Sequence, residues 1–214
     1  MSQVALLITL FALHLGGWAV ITVEDLPDQV VVGQPVTLTF AVRQHGHTLI
    51  SGLNARVEAK SGGQTVRAAA APVTGPGRYA ATLTLPNAGA WTITMYSGFG
   101  SSNLTLMPVP AVNAGRAAAE PAAADRGKRL FVAKGCLTCH LHDEVPASGV
   151  VQVGPDLSGR RYAADYLRRF LADPSIATTR GPGGPGMPNL NLAPREIAAL
   201  AAFINGERAA QAGE

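Results

Sequence analysis

The two cysteines of this 214-residue chain lie three positions apart, in Cys136-Leu137-Thr138-Cys139-His140. Two thiols at this spacing, with an imidazole directly after the second, read as a c-type haem attachment site. Each thiol adds to one vinyl group of the porphyrin. His140 is then held under the iron as its proximal ligand, a role imidazole fills in many haem proteins. The competing readings are a dithiol redox pair, which needs no following histidine, and half of a zinc site, which needs a second pair of ligands that the cysteine count does not supply. With both thiols committed to haem, cysteine usage alone does not reveal the redox compartment.

Around this motif the apolar residues follow a helical period. Asp125 can cap a short helix that runs to Lys134 and stops at Gly135, with Gly127 and Phe131 four apart on one face. Tyr166, Leu167, Phe170 and Leu171 make a second apolar face that ends before Pro174. Pro194 opens a last helix as a first-turn residue. Ile197, Leu200, Ala201 and Ile204 continue it at i, i+3, i+4 and i+7, and Gly206 closes it. Its cap position holds Ala193, a poor cap.

Gly127-Lys-Arg-Leu-Phe131, Gly135-Cys-Leu-Thr-Cys-His140, Gly154-Pro-Asp-Leu157 and Met187-Pro-Asn-Leu190 follow one another before that last helix. In this order they resemble a class I monohaem cytochrome c domain. The resemblance covers most of residues 126–214 and implies an all-α cytochrome c fold with one covalently attached haem c. It implies that the first and last helices cross at Gly127, with Phe131 and Phe203 in contact. It implies that the Pro155 carbonyl accepts a hydrogen bond from the proximal imidazole, a contact that orients the ring and tunes the metal. Met187 is the one methionine after residue 125 and precedes Pro188, as the family pattern expects of the second axial ligand. Its thioether suits soft, low-charge iron, whereas His142 is too near His140 in sequence to reach the opposite haem face. The glycine-rich run 181–186 is a loop able to wrap an iron face. Arg160, Arg161, Arg168, Arg169 and Arg180 form a scattered basic set, by default a solvated face.

The amino-terminal half follows period two instead. Val36, Leu38, Phe40 and Val42 alternate with Thr37, Thr39 and Ala41. Tyr79, Ala81, Leu83 and Leu85 form a second such run, Trp91, Ile93 and Met95 a third, and Leu104 and Leu106 a fourth. Turn signals at Gly33-Gln34-Pro35, Gly62-Gly63, Gly75-Pro76-Gly77 and Pro86-Asn87 separate them. About seven strands at this spacing predict an all-β, immunoglobulin-like sandwich over residues 17–110. Trp18 to Pro27, Gly33 to Phe40, Arg43 to Gly46 and Gly77 to Tyr79 resemble the FixH/YtkA-like β-domains of envelope proteins, which imply no enzyme activity. His45 and His47 fall where a hairpin turn belongs and Met95 on a core face. Copper binding by these residues with Met107 is the competing reading.

Two regions flank these domains. Residues 1–16 belong to an apolar stretch that is uncharged before Glu24 and reads as an export signal or a retained membrane anchor. Residues 111–125, rich in Ala and Pro with almost no large apolar side chain, read as a tether between the domains. The charge is unevenly spread: six basic and six acidic residues in 1–125, eleven and eight in 126–214. No dense basic run or aromatic-interleaved basic patch supports nucleic-acid binding.

With His140 and Met187 filling both axial positions, the sequence predicts a one-electron carrier rather than an enzyme. It would be extracytoplasmic, in the periplasm or on the outer face of the cytoplasmic membrane. Its partner would be a redox protein or a respiratory or photosynthetic membrane complex, with the β-domain as docking module. An oxidase-assembly or copper-handling factor, and a haem gas sensor with labile Met187, are the alternatives.

Overall fold

In the computed structural model, residues 17–147, 149–177 and 186–206 are described. The expected export signal or anchor at 1–16, Arg180 and most of the glycine-rich loop, 181–185, lie outside them. A β-region is followed by a helical region, the two-domain order expected.

The strands are β1 (Ala19–Val23), β2 (Val30–Val31), β3 (Pro35–Gln44), β4 (Thr48–Leu49), β5 (Arg56–Ser61), β6 (Gln64–Ala69), β7 (Ala71–Pro72), β8 (Arg78–Thr84), β9 (Gly89–Tyr96), β10 (Asn103–Thr105) and β11 (Val109–Val112). One sheet runs β1-β3-β8-β7 with β4 on β3; the other runs β2-β11-β9-β5-β6 with β10 on β9. All pairings are antiparallel except β11 with β2. Alternation drives the packing: Leu38, Phe40 and Val42 from one sheet, and Trp91, Ile93 and Met95 from the other, are fully buried in a shared core. Cross-strand pairs such as Phe40–Tyr79 and Leu38–Ala81 set the register. The buried polar tips find partners, Trp91 Nε1 donating to the Asn87 carbonyl at 3.0 Å and the Tyr79 hydroxyl to that of Ile50 at 2.8 Å.

Two boundaries differ from expectation. The strand β11 extends past Pro110 because Val109 and Ala111 alternate into the core between β2 and β9. At the other end the Ala-rich run is already helical: α1 spans Ala123–Ala133, so Asp125 is not its cap. The cap position is Ala122, and Asp125 sits in the first turn, where its charge favours the helix dipole. Alanine's high helix propensity accounts for the early start. Residues 113–122 remain between the regions, and even there Ala118 N–H donates to the Gln29 side chain.

The helical region adds α2 (Ala164–Ala172) and α3 (Pro194–Ile204). A Cβ on Gly127 would lie 2.6 Å from the Ala199 carbonyl carbon and 2.7 Å from Phe203 Cβ, so α1 and α3 touch backbone to backbone there. Phe131 meets Phe203 edge-on at 5.5 Å, as expected. His142 stacks on Phe203 at 4.3 Å and is buried in this crossing, which occupies the ring in packing. The poor cap Ala193 is compensated by Glu196, whose Oε2 accepts from Ala193 N–H at 3.0 Å. The apolar face expected on α2 divides: Leu167 and Leu171 are buried, while Tyr166 and Phe170 stack on each other outside.

The two regions are packed together, which corrects the expectation of a simple tether. All five residues of β1 are buried. Ile21 and Val23 belong to the sandwich core. Val20 and Thr22 face the end of α1: a Cβ on Gly135 would lie 2.5 Å from Val20 Cγ1, and Thr22 Oγ1 donates to the Lys134 carbonyl at 3.3 Å. Arg126 and Asp28 add an ion pair farther along α1.

Candidate haem-binding site

The attachment motif begins where α1 ends. Gly135 has φ +77°, a left-handed conformation that glycine adopts without Cβ strain. The chain then turns through a short 3-10 segment, Cys136–Thr138, and His140 N–H closes on the Cys136 carbonyl at 2.9 Å. Both cysteines and His140 thus project from one compact turn. Burial pushes the Cys136 thiol up to about 12 and raises that of Cys139 as well. Redox-active and metal-binding cysteines are favoured by the opposite shift, toward thiolate.

A second segment runs beside this turn. Val151 N–H donates to the Thr138 carbonyl at 2.8 Å, Gly154 to Cys139 at 2.9 Å and Leu157 to Leu141 at 2.9 Å. That ladder brings the Pro155 carbonyl to 2.9 Å from His140 Nδ1. Burial lowers the pKa of His140, and the Pro155 contact opposes this only in part. The ring is therefore neutral at neutral pH, with Nδ1–H donating and a lone pair on Nε2. Gly154 lies against the ring: a Cβ there would be 2.6 Å from Nδ1 and 3.0 Å from Nε2. A neutral imidazole, fixed at one nitrogen and basic at the other beside two thiols, fits a haem-binding role.

Met187 is half-buried and packs against the core. The segment after it is held to the end of α2 by Asn189 Nδ2, which donates to the Ala172 carbonyl at 3.3 Å. Val151, Val153, Tyr166 and Ile176 are the exposed large apolar side chains among the described residues, and all lie in the helical region. Such surface fits a domain whose core is completed by an apolar group. Arg160, Arg161, Arg168 and Arg169 are exposed. Of these, Arg161 donates to the Asn205 carbonyl at the end of α3.

In the β-region, His45 and His47 occupy the turn between β3 and β4, and Met95 is core. Among the described residues no group of three or more His, Cys, Asp or Glu side chains is placed to hold a metal ion. No described helix is long and apolar enough to cross a membrane. The contact of Gly154 with the imidazole was not foreseen. Its sequence signal, a glycine before the proline that supplies the carbonyl, has meaning only once the ring is placed.

Residues 122–204 match the family of cytochrome c oxidase, cbb3-type, subunit III. This supports a cytochrome c domain in the carboxyl-terminal part of the chain, a haem c electron-transfer module. No curated protein matches the chain. Solved structures that are similar include the Lin-41 filamin domain, at 16% identity and TM-score 0.33, covering 42% of this chain and 81% of that one. Domains 4–9 of the surface layer protein SbsC match at 23% identity and TM-score 0.34, covering 46% of this chain and 14% of that one. The ZirS C-terminal domain matches at 10% identity and TM-score 0.32, covering 52% and 81%.

Proposed function

We propose that the chain is an exported monohaem c-type cytochrome that carries single electrons to or from a membrane or periplasmic redox complex. The observation that carries this is the 2.9 Å contact between His140 Nδ1 and the Pro155 carbonyl, inside a Cys-x-x-Cys-His turn. Cys136 and Cys139 would hold the porphyrin covalently, and His140, through Nε2, and Met187 would ligate its iron. When bound, the haem supplies a one-electron Fe(III)/Fe(II) couple. The protein's part is to keep the ligands fixed. Pro155 pins the imidazole, Gly154 backs it, and the Asn189–Ala172 bond steadies the chain just after Met187.

Export is supported by the apolar stretch over 1–16 and by the haem, since in the resembled family such attachment is completed outside the cytoplasm. The matched family, a subunit of an oxidase, favours a respiratory partner. The β-domain is read as a FixH/YtkA-like docking module. Potentiometric titration of the purified haemoprotein tests the proposal. One Nernstian wave with a one-electron slope, and a reduced spectrum unchanged by carbon monoxide, are expected. A carbon monoxide complex formed at neutral pH would instead favour the gas-sensor reading with a labile Met187.

A further inference from the structure

The side chain of Lys134 is only 3% exposed, although lysine is almost never fully buried unless paired. Its ammonium is held from both regions of the molecule. Glu196 Oε1, from the first turn of α3, lies 2.8 Å away. The Glu24 carbonyl, just past the end of β1, accepts from Nζ at 2.6 Å. The partners are themselves fixed. Glu196 uses its other oxygen to accept from Ala193 N–H, and Glu24 is held through its carboxylate by Arg78, with two contacts of 2.6 Å. The backbone of Lys134 joins as well, its carbonyl accepting from Thr22, which also accepts from Arg43 at 3.0 Å. The next residue, Gly135, fits under Val20 and Ile21 with no room for a Cβ. The residue after that is Cys136.

From this we infer that Lys134 is a positioning residue. It clamps the haem attachment turn onto β1, so that the β-domain and the haem domain move as one rigid electron carrier. The inference rests on the haem-carrying reading above and goes beyond it. The β-domain then does not swing on residues 113–122 but presents the haem in a fixed attitude to whatever it docks against. It also keeps water from one side of the turn that carries Cys136. Removing that cover favours the ferric state, whose extra charge gains more from solvation, and so lowers the reduction potential.

The test uses full-length haemoprotein with two substitutions, one on each side of the contact. Lys134→Met keeps the length of the side chain and removes the ammonium. Val20→Lys breaks the contact from the β-domain and leaves every residue of the haem domain in place. Both are expected to retain the covalent haem spectrum. Both are expected to enlarge the maximum dimension seen by small-angle X-ray scattering and to lower the midpoint potential. The fall in Val20→Lys is diagnostic, because an added positive charge alone would raise the potential. Haem-loaded variants with the scattering curve and potential of the parent would overturn the clamp. If Lys134→Met does not mature, Val20→Lys decides by the same two measurements. Parent protein without haem would sink the electron-carrier reading instead, so the two failures are distinguishable.

Discussion

Gly127→Ala is expected to be among the most destabilising single substitutions in the helical region. Alanine is the better helix former by about 1 kcal/mol, so local propensity predicts a gain. The crossing predicts the reverse. The new methyl would sit 2.6 Å from the Ala199 carbonyl carbon and 2.7 Å from Phe203 Cβ, inside van der Waals contact with α3. A flexible side chain could move aside, but the nearer obstacle is backbone. Overpacking costs about 1–3 kcal/mol and occasionally more, and a rigid neighbour puts this case at the upper end. The clash outweighs the propensity gain. For a domain of this size each kcal/mol moves the melting temperature by about 4–8 °C. A net loss of about 2 kcal/mol therefore lowers it by roughly 10 °C, read at the haem absorbance during a thermal melt. An unchanged or raised melting temperature would mean that α1 and α3 do not meet at Gly127.

The second large effect is expected from Met187→Ala. If Met187 is the second axial ligand, alanine opens one coordination position while the two thioether links and His140 retain the haem. The low-spin Met/His spectrum should disappear and the reduced protein should bind carbon monoxide. The midpoint potential should fall, because Met/His ligation raises it. Stability should change less, since Met187 is only half-buried. An unaltered spectrum would assign the second ligand elsewhere.

Much of the architecture was legible because it depends on short periods. Residues 36–42, 79–84 and 91–95 alternate, and each run lies on a strand whose apolar face fills the sandwich. The Cys136–His140 turn was legible as a candidate site because two thiols and an imidazole at fixed spacing have few other uses. What escaped depends on distant partners. Nothing local marks Lys134 as buried; it needs Glu196 from the far end of the haem domain and the Glu24 carbonyl from the β-domain. The strand β1 did carry a hint. Its run Ala19-Val20-Ile21-Thr22-Val23 lacks the alternation of a half-exposed strand, and such runs belong to strands covered on both faces. The linker begins two residues later than expected for a related reason. Small side chains such as Ala111 look too slight to bury a core, yet they pack well where neighbouring strands supply the bulk.

Mass spectrometry of the mature protein after denaturation and acid–acetone extraction tests the whole account most directly. Haem joined through Cys136 and Cys139 must survive both treatments, so the polypeptide is predicted to carry the added mass of a single haem. A polypeptide of unmodified mass, with the colour lost to the solvent or never present, would contradict it.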